Sequence, residues 1–157
     1  MSIFESLHDL CVSKRVSVAV AESCTSGLIA SKLTLKSGSS TFFKGGIIAY
    51  QNDIKIKILE VDERVILQYT EVSAEVVKQM AEGVRKSFLA DYSIAISGYA
   101  GPSGGTNNNP IGTVFIAILS ASGVDIERFV FSGDRQSVVN QASEKSLSLL
   151  YDAVKKH

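Results

Sequence analysis

The sequence predicts an α/β domain built on a mixed β-sheet, and three observations carry that expectation. Residues 16–20 and 92–97 are apolar runs of Val, Ile, Ala and Tyr of the kind that strands buried on both faces show. A helix-like stretch separates strand-like residues 16–20 from strand-like residues 45–50, and a strand, helix, strand order favours a parallel pair with a right-handed crossover. Residues 112–121 and 124–131 form two further strand-like runs joined by Ser122-Gly123, a hairpin turn, so one of that pair must run against the rest.

The totals narrow the function classes. A chain of 157 residues, 45% of them hydrophobic, fits a single compact domain over residues 1–157. Lys+Arg 16 balance Asp+Glu 16, the charges are scattered, and the only basic run is Lys155-Lys156, so nucleic-acid binding has no electrostatic footprint. No apolar segment has the length of a membrane span, and Met1-Ser2-Ile3-Phe4-Glu5 lacks the regions of a signal peptide. Cys11 and Cys24 show no disulfide-like spacing, and the expected location is cytoplasmic. The two histidines, His8 and His157, lie near the ends of the chain, which argues against a His-based triad and against a zinc site.

Taken in order, residues 3–14 predict an amphipathic helix with Leu7, Leu10 and Cys11 on its apolar face. The strand at 16–20 then runs into Ala21-Glu22-Ser23-Cys24-Thr25-Ser26-Gly27, followed by a helix over 28–36 that Ser37-Gly38-Ser39-Ser40 stops. Ser23 therefore sits on a strand-to-helix turn, beside free helical N–H groups that would stabilise an oxyanion or bound anion. The same residues also suit ordinary helix N-capping. If the strands at 16–20 and 45–50 are parallel, Tyr50 and residues 53–55 share an edge of the sheet with Ser23. Ser39 and Ser40 then fall roughly 20 Å away at the other edge.

Short helices over 54–59 and 65–69 follow, and Ser73 caps a longer one to Leu89 with Val76, Val77, Met80, Ala81, Val84 and Phe88 as its core stripe. The strand at 92–97 leads into the glycine-rich segment Gly98-Tyr99-Ala100-Gly101-Pro102-Ser103-Gly104-Gly105 and then Asn107-Asn108-Asn109-Pro110. Such a loop at a strand's carboxyl end can cradle a phosphate or ribose, or it can be a flexible connection; it matches neither the dinucleotide fingerprint nor the NTPase phosphate loop. Asp134 caps the final helix and puts Arg135 in its first turn, where a cation is unfavourable for the helix itself. A bound anion or a neighbouring carboxylate would each account for it.

Together these segments form a pattern that resembles the C-terminal domain of the competence/damage-inducible protein CinA family, over nearly the whole chain. The residues that carry it are Ala21-Glu22-Ser23-Cys24-Thr25, Gly38-Ser39-Ser40 with Phe43 and Gly45-Gly46, and Ala49-Tyr50 with Asn52 and Lys55. Ser97-Gly98, Ala100-Gly101-Pro102, Gly104-Gly105, Pro110, Gly112-Thr113 and Ser132-Gly133-Asp134-Arg135 complete it. The resemblance implies a three-layer α/β/α domain with a five-stranded mixed, mostly parallel sheet. It also implies the activity of the stand-alone members, hydrolysis of the carboxamide of nicotinamide mononucleotide to the carboxylate with release of ammonia, in pyridine nucleotide salvage.

Carried over by motif, the catalytic residues would be Ser23 and Lys55 with Tyr50 nearby to relay the proton or orient the lysine. Ser40 belongs to a family motif too and is the alternative nucleophile; strand geometry favours Ser23, leaving Ser40 among the substrate-binding residues. Cys24 and Thr25 would supply oxyanion amides. Ser97, Gly98, Gly101, Gly104, Gly105 and Arg135 would hold the ribose phosphate. No metal or organic cofactor is implied, and the expected partners are the small-molecule substrate and further copies of the chain, with Phe42, Phe43 and Tyr69 as possible contacts. Ser26, Tyr99 and Asn107-Asn108-Asn109 depart from the family pattern and bear on affinity and substrate choice. Larger relatives carry an additional N-terminal domain linked to pyrophosphatase activity. The alternative function is a nucleotide-binding or regulatory module that keeps the pocket without turnover.

Overall fold

A computed structural model describes residues 1–157. Five strands form one sheet: β1 (Val18–Glu22), β2 (Phe43–Ile48), β3 (Tyr92–Gly98), β4 (Thr113–Ser120) and β5 (Gly123–Val130), in the spatial order β2-β1-β3-β4-β5. β1 is parallel to both β2 and β3, whereas β3 with β4 and β4 with β5 are antiparallel. Four strands thus share a direction and β4 alone opposes them, the sense that the Ser122-Gly123 turn demands.

The two faces of the sheet are built from different residues. Along the central strands, Val18, Val20, Ile94, Ile96, Ile116 and Ile118 point to one side, while Ala19, Ala21, Ala95 and Ala117 point to the other. The branched face packs beneath α1 (Ile3–Lys14), α2 (Leu28–Leu33) and α6 (Arg135–Lys156), which contribute Leu7, Cys11, Ile29, Leu147, Leu150 and Val154. The alanine face lies under α5 (Ala74–Phe88), whose Val76, Val77, Met80, Ala81 and Val84 are wholly buried; α4 (Glu63–Tyr69) packs beside it and adds Ile66. Small residues on that face leave room for large helical ones, the interdigitation that gives interiors their density. Both faces are covered, which is why these strands read as near-continuous apolar runs.

Local signals fix the helix ends. Ser2 and Glu5 form a capping box on α1, Ser73 accepts from the Val76 amide on α5, and Asp134 accepts from the Ser137 amide on α6. Thr34 ends α2 earlier than residue 36, because its hydroxyl donates to the Ala30 and Ser31 carbonyls within the last turn. A short 3-10 turn, Ser39–Thr41, precedes β2. α3 (Asn52–Lys57) begins after β2 and ends in a loop that α5 touches at Gly83, where a Cβ would run into the Leu59 carbonyl. That close approach requires glycine and holds the loop after α3 against α5.

Three expectations need correction. β1 extends to Glu22 rather than stopping at 20, since Glu22 continues the register opposite Ile48 and Ile96. β2 ends at Ile48, so Tyr50 lies beyond the strand. Phe42 is 1% exposed and takes the His8 ring edge-on at a centroid distance of 5.3 Å, so it belongs to the core and cannot face another subunit.

Candidate active site

The carboxyl ends of β1, β2 and β3 meet at one edge of the sheet, and the turn after β1 rises from it. The Ser23 amide donates to the Ile96 carbonyl at 3.2 Å, and the Ala49 amide donates to the Glu22 carbonyl at 2.8 Å, which tie the turn to both neighbouring strands. Glu22 itself is buried and accepts three hydrogen bonds: from the Thr25 hydroxyl at 2.6 Å, the Ile29 amide at 3.0 Å and the Ala30 amide at 2.9 Å. A carboxylate thus caps α2 in place of a Ser or Thr at the N-cap, where Gly27 makes no side-chain bond. Thr25 is spent on Glu22, and the Ser23 hydroxyl takes no part in the cap.

What the Ser23 hydroxyl meets instead is Lys55. The lysine is 1% exposed, and its Nζ donates to Ser23 Oγ at 3.3 Å and to the Tyr50 backbone carbonyl at 3.4 Å. No carboxylate stands within ion-pair distance of it. Burial pushes its pKa down, while the charge of Glu71 and the Cys24 thiol pull the other way. Burial raises the Cys24 thiol to about 12, which keeps it in the protonated, weakly nucleophilic form at neutral pH. The Cys24 and Thr25 amides donate to no backbone carbonyl and lie beside Ser23.

Arg135 closes the mouth. One of its terminal nitrogens donates to the Gly101 carbonyl at 2.8 Å and the other to the Tyr50 hydroxyl at 2.8 Å, and no carboxylate pairs with it. The Tyr50 phenol is therefore turned toward Arg135, and only its backbone carbonyl reaches Lys55. A proton relay through the phenol has no contact to support it.

Two cavities meet here and share Cys24, Ala100 and Arg135. The inner one, about 180 Å³, holds Ser23 and Lys55 and is completed by Tyr50, Asn52, Glu71, Ser97, Gly98 and Tyr99. The outer one, about 920 Å³, is lined by the 24–28 turn, Gly101, Pro102 and the first turn of α6. Ser97 lines the inner cavity while its hydroxyl donates to the Glu71 carbonyl at 2.8 Å.

The remaining expected site residues fall outside. Ser40 is exposed beside the amino-terminal end of β2 and lines neither cavity, so within one chain it is separated from Lys55 by the length of the strand. Gly104 and Gly105 also line neither; with φ of 95° and 83° they shape the loop against Tyr99 and Ile111. The Asn-rich segment is pinned from β5, where Arg128 donates to Asn109 Oδ1 at 3.1 Å and to the Asn108 carbonyl at 2.9 Å. Ser26 holds a left-handed φ of 52°, a conformation glycine adopts without cost, and sits on the outer cavity's rim. Neither the capping role of Glu22 nor the presence of Glu71 and Asn52 in the inner cavity was expected. Glu22 carried a signal, an acidic residue continuing an apolar strand just before a helix; Glu71 carried none, because only the fold of its loop brings it to the cavity that holds Lys55.

Known proteins share this arrangement of elements. The family described as "CinA C-terminal domain" matches residues 1–154. A CinA-like protein of Flavobacterium psychrophilum is 39% identical over 151 residues, 96% of this chain but 36% of that protein's length. A putative competence-damage inducible protein of Caldicellulosiruptor saccharolyticus is 42% identical over 146 residues, again 36% of its length. The chain thus spans just over a third of these longer relatives. Among solved structures, a CinA-superfamily protein from Klebsiella pneumoniae superposes with a TM-score of 0.94 at 29% identity over 100% of both chains. A competence or damage-inducible protein from Enterobacter asburiae gives 0.93 at 34% identity, covering 97% of this chain and 96% of its own. With the family matched from residue 1 to 154 and the fold shared at this level, the chain belongs to the CinA C-terminal domain family.

Proposed function

We propose that this domain hydrolyses the carboxamide of nicotinamide mononucleotide, with Ser23 as nucleophile and Lys55 as its base. The observation that carries the reading is a wholly buried lysine, without a carboxylate partner, 3.3 Å from a serine hydroxyl at the carboxyl edge of the sheet. An ordinary lysine titrates near about 10.4 and is a poor base at neutral pH. Removing it from water disfavours the ammonium form and lowers its pKa, the direction that a base acting near neutral pH requires.

In the first step neutral Lys55 Nζ takes the Ser23 proton as Oγ attacks the carboxamide carbon, and negative charge develops on the carbonyl oxygen. The Cys24 and Thr25 amides, which donate to no backbone carbonyl, are the donors for that oxyanion, each worth about 3 kcal/mol when aligned. They act as backbone dipoles ahead of α2, because the amides of its first turn are already committed to Glu22. Lys55 returns the proton to the departing nitrogen, ammonia leaves, and water activated by Lys55 clears the acyl-enzyme. The step as written needs no metal or organic cofactor. Arg135, with no carboxylate partner at the junction of the two cavities, would face the substrate phosphate. Ser40, if it acts at all, would have to be brought by a second copy of the chain.

The test is ammonia release from nicotinamide mononucleotide by the purified protein and by folded Ser23→Ala, Lys55→Ala and Ser40→Ala variants. Turnover is expected in the wild type and in Ser40→Ala, with loss in the other two. A wild type that binds the nucleotide and releases no ammonia would make this a binding module instead.

A further inference from the structure

The inner cavity carries an acidic residue that the mechanism does not use. Glu71 stands in the loop between α4 and α5, half-buried, lining the same wall system as Ser23 and Lys55. Its carboxylate takes part in no ion pair and no side-chain hydrogen bond; the residue is held through its backbone, whose carbonyl accepts from Ser97 Oγ. A carboxylate on a cavity wall without a partner in the protein is free to receive a cation. Lys55 is not that cation, since it lies beyond ion-pair distance and serves as base only when neutral.

With Lys55 neutral, the inner cavity has two full charges on its walls, Glu71 and Arg135. One is negative, one positive, and neither is paired within the protein. A cavity so furnished is complementary to a ligand that is itself a zwitterion, anionic on one side and cationic on the other. Asn52, Tyr99 and Ser97 add neutral polar surface between them.

We propose that Glu71 is a specificity-determining residue that faces a cationic ring, so that the site selects a nucleotide with a positively charged heterocycle over one whose ring is neutral. The inference rests on the amidase reading for the identity of that ring. A pyridinium bears a unit positive charge, its dihydropyridine counterpart is nearly the same size and uncharged, and both carry the same phosphate for Arg135. Size and phosphate contacts are therefore closely matched between the two, and the ring charge that Glu71 would read is the main electrostatic difference.

The experiment is equilibrium binding of nicotinamide mononucleotide and of its reduced dihydro form, by calorimetry, to the Ser23→Ala protein and to the same protein carrying in addition Glu71→Gln or Glu71→Asp. The expected result is a preference of about tenfold for the oxidised nucleotide, the size that one partly screened charge contact supplies. That preference collapses to within about twofold in Glu71→Gln and is largely kept in Glu71→Asp. Matching melting curves establish that the variants fold. An unchanged ratio in Glu71→Gln, or no preference in the parent, overturns the proposal. Ammonia release by the wild type decides the amidase reading separately. If the preference depends on Glu71 but no ammonia forms, the amidase reading falls and the role of Glu71 stands; if ammonia forms but Glu71→Gln keeps the parent ratio, the reverse holds. If neither nucleotide binds, both fall.

Discussion

Glu22 and Lys55 are each 1% exposed at the same edge of the sheet, yet they are housed in opposite ways. Glu22 accepts three hydrogen bonds of 2.6 to 3.0 Å, two of them from the first turn of α2. Lys55 makes two long contacts, of 3.3 and 3.4 Å, to a hydroxyl and a carbonyl, and has no counter-charge. A buried charge fully provided for holds the structure together; a buried amine left short of partners has its pKa lowered by burial and suits the role of base proposed for it. The contrast fits a scaffold role for Glu22 and the proposed chemistry for Lys55, and substitutions can break either half of it.

The largest effect is expected at Lys55. Lys55→Met should reduce amide hydrolysis by about 10²–10⁴-fold, the usual contribution of a positioned base, as measured by ammonia release. The same variant should be more stable than the wild type at neutral pH, with a higher melting temperature. Unfolded lysine binds its proton near about 10.4 and the folded residue only at lower pH, so the wild type loses stability relative to Lys55→Met as pH falls from about 10.4 toward the folded value. Below the folded value the difference is constant. Melting temperatures of the two proteins across that range check the sign.

Glu22→Gln comes next and should act through stability. Oε1 serves the Thr25 hydroxyl and the Ile29 amide while Oε2 serves the Ala30 amide, so whichever way a glutamine turns, its NH₂ confronts an N–H. Denaturant unfolding should show a loss of about 1–3 kcal/mol for the unsatisfied groups. Gly83→Ala, which presses a methyl into the Leu59 carbonyl, should cost about 1–3 kcal/mol and, by shifting the loop after α3, lower activity as well. The smallest effect is expected at Ser40, where alanine should leave stability within about 0.5 kcal/mol, as exposed positions usually do.

Much of this was legible in the residues, for identifiable reasons. Strand direction followed from the β1-α2-β2 order and the Ser122-Gly123 turn, and direction put Lys55 on the same edge of the sheet as Ser23 and Ser40 at the other, while the pairing of Ser23 with Lys55 came from the family resemblance. The Val/Ile and Ala alternation marked buried strands, although which face would receive α5 depended on packing that no single segment contains. Strand ends slipped by two residues because Glu22 resembles a loop residue until the α2 amides are seen to satisfy it. Tyr50 was placed near Lys55, but its side chain went to Arg135, 85 positions away in sequence. Gly104 and Gly105 shared the composition of a phosphate cradle with Gly98 and Gly101; only the folded loop separates those that line a cavity from those that turn the chain.

The role of Lys55 is tested most directly by an NMR titration of the lysine side-chain amines, with the Lys55 signal assigned by its disappearance in Lys55→Met. One resonance should titrate clearly below all other lysines and move when Ser23 is replaced by alanine. A Lys55 that titrates with the rest, near about 10.4, would leave Ser23 without a base and contradict the assignment of chemistry to this side of the comparison.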